Sequence, residues 1–210
     1  MSIRPIAPEL LVVEIADRIA DRCRDGWLRV AIDGPAAAKP GQLAEALVGP
    51  LRVRGRPALP VQAGGFLRPA SLRYEYGRTD PDAFYTDWLD AAGLRREVLD
   101  PLAPGGTGRV LPSLWDPETD RATRADYLCL PPGGVVIVSG PLLLGGVLPF
   151  DFTVHLLLSP GALARRTAES EAWTLPAFAR YADEVGPAAL ADLVVRMDDA
   201  RRPALVDPLG

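Results

Sequence analysis

Lysine is almost missing from this chain: of its 23 basic residues, all but Lys39 are arginine. Arginine replaces lysine wherever either cation serves, as in a GC-rich genome, so the one place where lysine persists stands out. Cysteine is scarce too. Cys23 and Cys129 stand in no metal-ligand or redox spacing, which reads as a reduced, intracellular chain whose thiols act as buried small hydrophobes. A surplus of positive charge is lacking, with a formal net charge of -4 and a pI near 5.1. No global field exists to hold a phosphodiester backbone, which excludes nucleic acid as the expected partner. Long apolar runs are absent as well. The most apolar region, residues 134–150, is broken by Ser139, Pro141, Gly145 and Gly146, too short a run for a membrane span. The first apolar stretch contains acids and lacks a basic leader with a cleavage site, so it does not read as a signal peptide. The expectation is a cytoplasmic protein with no membrane partner.

What is present is an ordinary globular composition, 48% hydrophobic and 24% charged over 210 residues. That length buries a full core in one domain without disulfides. Residues 9–24 repeat apolar positions at helical spacing (Val12, Ala16, Ile19, Ala20, Cys23) up to Asp25-Gly26. Residues 27–32 read as a strand entering the turn Asp33-Gly34-Pro35, and residues 42–48 as a helix ending at Gly49-Pro50. Strand, glycine-containing loop and helix in that order open a nucleotide-binding α/β domain. A second strand is expected at 59–63, a helix around 87–99, and a hinge or surface turn at 101–108. Val135–Val138 is a β-branched run, suited to a central strand buried on both faces, and residues 152–158 form another. Helices are expected at 162–171 and 176–181, with a last strand after Arg201 and no internal repeat.

The segment AIDGPAAAKPGQLAEAL resembles the strand, Walker A loop and helix of the uridine kinases. FLRPASLRYEYGRTDPDAFYTDWLD, followed by LRREVLDPLAPGG, is similar to the nucleoside-side region of actinobacterial uridine kinase-like proteins. VVIVSGPLLL and FDFTVHLLLSPGALARRTAE fall where that family has its later strands and lid-region arginines. The resemblance implies a three-layer parallel α/β sheet of the P-loop nucleoside/nucleotide kinase type over one domain, residues 1–210. Within it lie an N-terminal helix (1–25), an acceptor-side insertion (64–130) and a lid-like region (160–185). It also implies ATP-dependent phosphorylation of a nucleoside hydroxyl with magnesium.

That reaction needs backbone N–H groups around the phosphates, a lysine on their outer oxygens, a hydroxyl and carboxylates for the metal, and an acid at the attacking hydroxyl. Against the family motif, Lys39 stands at the second glycine, Pro40 at the lysine and Gly41 at the Ser/Thr metal ligand. Pro40 has no N–H, Gly41 has no hydroxyl, and the proline turns Lys39 away from helical backbone. Gly64-Gly65-Phe66-Leu67 stands where the family has its D-G-F-H-like acid, and Ser139-Gly140 where it ends a buried strand in Asp or Glu. The expectation is a degenerate Walker A and a pseudokinase or repurposed enzyme, binding a nucleotide, nucleoside or other small aromatic ligand without efficient phosphorylation. The alternative is an active nucleoside or small-molecule kinase with a non-standard P-loop, using ATP and magnesium.

Candidate residues follow from the same comparison. Gly34, Lys39, Gly41 and Arg166 are offered for phosphate, with Lys39 equally readable as an exposed turn lysine. Arg68, Arg73, Tyr74, Tyr76, Arg78, Phe84, Tyr85 and Asp87 are offered for the ligand, by stacking and ion pairing, with ordinary loop packing as the plain alternative. Lys39, Asp33 and Asp80 are the catalytic candidates of the kinase alternative, Asp33 also fitting a turn before glycine. Arg165 and Arg180 share the lid-like segment and equally suit a solvated helix face. His155, the one histidine, reads as a satisfied core residue, and no metal ligands are offered. Trp88 and Trp115 are the residues expected to form an exposed patch if the chain is a homodimer or scaffold.

Overall fold

The computed structural model describes residues 2–22 and 26–207. The chain begins with β1 (Ser2–Pro5) and α1 (Pro8–Ala20), then β2 (Leu28–Asp33), α2 (Pro40–Val53) and β3 (Ala58–Gln62). Residues 64–130 hold short elements: α3 (Ala70–Arg73), α4 (Pro81–Thr86), α5 (Ala91–Leu94), and strands β4 (Arg109–Val110), β5 (Trp115–Asp116), β6 (Arg121–Ala122) and β7 (Leu128–Cys129). The chain continues with β8 (Val135–Gly140), β9 (Phe152–Leu157), α6 (Pro160–Arg166), α7 (Leu175–Glu184), α8 (Pro187–Leu190), β10 (Leu193–Arg196) and β11 (Ala204–Asp207). Seven strands form one sheet in the order β1-β11-β10-β9-β2-β8-β3. Strands β10, β9, β2, β8 and β3 run parallel, while β11 pairs antiparallel with both β10 and β1 at the edge.

Side-chain alternation builds the three layers. Val30, Ile32, Val135 and Ile137 point to one face and pack with Ile15, Ile19, Leu47 and Leu51 of α1 and α2. Ala31, Val136 and Val138 point to the other and meet Phe66, Leu94, Val98 and Leu99. With both faces covered, β8 is buried at every position, as its β-branched run anticipates.

Several boundaries differ from expectation. Helix α2 continues through Pro50 to Val53, because Ala44, Leu47 and Leu51 carry one buried stripe past the proline. Helix α1 ends at Ala20, and its buried face includes Leu11 and Ile15, with Val12 only half-buried. The helix expected at 162–171 stops at Arg166. Thr167 turns extended there, and a 3₁₀ turn at Glu169–Thr174 follows. Strands β1 and β10 carry little sequence signal, being four residues each. Cys129 is exposed on its two-residue ribbon, against the expectation of burial, and Cys23 lies outside the described residues. Trp88 and Trp115 are half-buried rather than an exposed patch, each indole N–H being bonded, to the Arg73 carbonyl and the Asp120 carboxylate. No helix among the described residues is long and apolar enough to cross a membrane.

Candidate functional site

The C-terminal ends of β2, β8 and β3 open onto one side of the molecule, where parallel α/β sheets place ligands. Strand β2 ends at Asp33, which is fully buried. Its Oδ1 accepts from Leu143 N at 2.9 Å, and its Oδ2 from His155 Nδ1 at 2.7 Å and from the Tyr181 hydroxyl at 3.2 Å. A carboxylate that accepts this bond pairs with the His155 tautomer that carries its proton on Nδ1. Tyr181 in turn accepts from Leu144 N at 2.9 Å. One carboxylate thus ties β2, the segment after β8, β9 and α7 together. Both oxygens of Asp33 are thus engaged inside the core and face no cleft, and His155 is the satisfied core residue that its placement implied.

Burial, and then the Asp33 charge, push the Tyr181 hydroxyl far above its usual value of 10.0. In the folded state Tyr181 keeps its proton where the unfolded chain loses it, so stability falls as pH rises above about 10, by about 1.4 kcal/mol per pH unit. Replacing Tyr181 by phenylalanine should flatten that alkaline slope, measured as urea midpoints between about pH 9 and 11. An unchanged slope would show that Tyr181 is not the group responsible.

Gly34 follows Asp33 and needs to be glycine on steric grounds, since a Cβ there would lie 2.9 Å from Leu156 Cβ. The loop then folds on itself. Ala38 N donates to Pro35 O at 2.8 Å and Lys39 N to Ala36 O at 2.9 Å, closing a 3₁₀ turn. Pro40 disfavours the right-handed helical region at Lys39, which sits left-handed at φ 60°, ψ 51°. Gln42 N donates to Lys39 O, Pro40 supplies no donor, and Gly41 N–H finds no partner among the described residues. A loop of this form aims few N–H groups outward. Arg166 reinforces it by donating to the carbonyls of Ala37 and Met197.

Three cavities meet at Pro141. The first, about 610 Å³, lies before the loop and takes in Lys39, Gly41, Gln62 and Ser139. The Lys39 ammonium is exposed and forms no ion pair among the described residues. The second, about 520 Å³, runs from Ala36 and Ala37 to Tyr74, Arg78, Phe84, Trp88, Trp173 and Phe178, with Arg166 and Glu171 on its wall. The third, about 290 Å³, is apolar and shares Phe84 and Trp88 with the second, adding Leu67, Tyr85 and Leu142. Phe84 is the hub of this aromatic wall, edge-to-face with Trp88 at 5.2 Å, Trp173 at 5.7 Å and Phe178 at 5.9 Å.

Of the residues singled out in the sequence, Tyr74, Arg78, Phe84, Tyr85, Lys39, Gly41 and Arg166 line these cavities. Others are spent on structure. Arg73 is buried, its guanidinium over the rings of Tyr74 at 4.8 Å and Trp88 at 5.2 Å. Asp80 caps α4 by accepting from Ala83 N at 2.7 Å. Arg68 and Asp87 face each other at 3.5 Å, Arg180 bridges Asp82 and Glu184, Arg165 and Tyr76 are exposed. Trp173, Phe178, Ser139 and Gln62 line the cavities without having been chosen as ligand residues. Their signal was present only as aromatics and strand ends, and nothing in the linear order joins residues 84 and 173.

No family model matches the chain, and no curated protein matches it in sequence. Solved structures do. A possible uridine kinase from Bacillus stearothermophilus superposes with a TM-score of 0.70 at 21% identity, over 87% of this chain and 96% of that one. A protein from Silicibacter sp. TM1040, provisionally described as a fructose transport system kinase, gives 0.56 at 22% identity over 87% and 91%. The protein YGR205w gives 0.55 at 11% identity over 96% and 100%. The chain has the three-layer α/β fold of the P-loop kinases. At such identities the likeness carries the fold and nothing further.

A fold of this type implies magnesium with a nucleoside triphosphate, and the residues present do not fit that pair. Magnesium keeps to oxygen ligands and is usually held by one or two carboxylates beside the phosphates. Here Glu45, exposed on α2, is the sole carboxylate lining the cavity before the loop, and Asp33 is fully engaged inside the core. Among the described residues no group of three or more His, Cys, Asp or Glu side chains is placed to hold a metal ion.

Proposed function

We propose that this chain is a uridine kinase-like protein that binds a flat, nucleoside-sized aromatic ligand without efficiently transferring phosphate to it, a pseudokinase or repurposed enzyme with a degenerate Walker A loop. One observation carries the reading. The loop before α2 spends its Ala38 and Lys39 N–H groups on its own carbonyls, directly beside a cleft walled by Tyr74, Phe84, Trp88, Trp173 and Phe178. Phosphoryl transfer draws on N–H cradle, metal carboxylates and acid together, and losing any one such group costs about two orders of magnitude or more in rate. The aromatic wall needs none of them. Stacking on Phe84 and Trp88, with Arg78 exposed at the rim, suits a planar ligand bearing negative charge. A cytoplasmic site of action, where such ligands abound, belongs to the same reading.

The test is turnover. With ATP, magnesium and a panel of nucleosides, ADP formation should stay at the background of the Lys39→Ala variant, while calorimetry with the same nucleosides records heat. Magnesium-dependent ADP release abolished by Lys39→Ala would refute the reading. It would favour the alternative of an active kinase, whose one structural support is the unpaired Lys39 ammonium facing the cavity.

A further inference from the structure

The cavity before the loop carries polar groups that the fold itself leaves unused. Ser139, the next-to-last residue of β8, has 4% of its surface exposed, and it lines this cavity with a hydroxyl that no described residue hydrogen-bonds. A hydroxyl with no protein partner at the wall of a cavity is open to a ligand atom or a water. It is directed at the start of α2, where a Cβ built on Gly41 would lie 3.8 Å from Ser139 Oγ and 3.9 Å from Gln62 Nε2. The missing side chain at Gly41 leaves that space open. The Gly41 N–H lies at the positive end of a 14-residue helix, the Gln62 amide borders the same space, and Lys39 lines the cavity.

These are donors, and together they match the oxygens of one small oxoanion. A triphosphate would bring several charges and a metal, for which Glu45 alone stands ready. The same cavity shares Gly64 and Pro141 with the apolar one of about 290 Å³ whose walls include Leu67, Phe84, Tyr85 and Trp88. A donor-rich seat and an aromatic slot therefore adjoin.

We infer that the natural ligand is an aromatic oxoanion with a single head group, a carboxylate or a monophosphate, bound without metal. Its head group lies among Lys39, Gly41, Gln62 and Ser139, and its ring lies against Phe84 and Trp88. This rests on the reading above that the cleft takes a flat ligand, and it goes further in naming the head group, its seat and the absence of a metal.

Calorimetry of the intact chain with 2-naphthoate, 2-naphthyl phosphate and the neutral 2-naphthalenemethanol tests it, in the presence of a chelator. At least one anion should bind about tenfold or more tighter than the alcohol, and whichever is tighter identifies the head group. Lys39→Gln and Ser139→Ala should each weaken that anion by about five- to tenfold and leave the alcohol unchanged. Lys39 is exposed, so its variant folds whatever the effect at Ser139. Equal affinity for anion and alcohol, an anion preference that survives Lys39→Gln, or a requirement for magnesium would each overturn the inference. Equal affinity leaves the aromatic cleft standing, whereas the ADP assay alone decides whether phosphate is transferred, so the two failures are told apart.

Discussion

Asp33→Ala is expected to lower the unfolding free energy by about 3–5 kcal/mol, read from urea or guanidinium midpoints. The carboxylate is fully buried and receives Leu143 N, His155 Nδ1 and the Tyr181 hydroxyl. Removing it strands three donors inside the protein, and a buried donor without an acceptor costs about 1–3 kcal/mol. Asp33→Asn should lose markedly less, since its carbonyl still accepts from Leu143 and the imidazole can change tautomer to receive the new amide N–H. The strands β2 and β9 also place Asp33 directly opposite His155, so the loss falls on the pairing of the two central strands. An alanine variant within about 1 kcal/mol of the parent would mean that the network is dispensable, and that Asp33 was left at the strand end for another purpose.

Trp88→Ala should cost about 2–4 kcal/mol and abolish binding of aromatic ligands. The indole is half-buried and touches Tyr74 at 5.7 Å, Phe84 at 5.2 Å and Trp173 at 5.4 Å. It also roofs the Arg73 guanidinium, whose buried Nη2 has no hydrogen bond and lies 3.8 Å from Asp120. Taking the ring away removes one of the two cation–π partners of a poorly solvated charge and the wall shared by two cavities. Trp88→Phe should recover most of the stability and part of the binding. The split is informative, because a ring that serves packing alone would be rescued in stability and binding to the same degree. Binding that survives Trp88→Ala would place the ligand elsewhere.

Much of the scaffold was legible because it depends on short periodicities. The run Val135–Val138 could only be a strand covered on both faces, and the glycine-containing loop between β2 and α2 lies where hydrophobic alternation stops at Asp33-Gly34. Helix α2 shows the limit of such signals. Pro50 reads as a stop, yet Leu51 continues the buried stripe and the helix passes through the proline for about one more turn, to Val53. The four-residue strands β1 and β10 were invisible for the opposite reason. Their pairing partners, β11 for β1 and both β9 and β11 for β10, supply the order that their own composition does not.

The candidate site divides in the same way. That Pro40 withholds a donor, that Gly41 lacks a hydroxyl and that Ser139 carries no carboxylate are covalent facts, settled by the residues themselves wherever the chain folds. Whether Asp33 faces a ligand or the core, and whether the aromatics of residues 74–88 form a wall with Trp173 and Phe178, depends on how α4 and α7 pack against each other and on the contacts Asp33 makes with β9 and α7. Chemical capacity is local to each side chain, whereas burial and neighbourhood are made by contacts between residues far apart in sequence. The sequence by itself therefore determined which groups this protein has to offer, and only the tertiary structure decided which of them face the cleft.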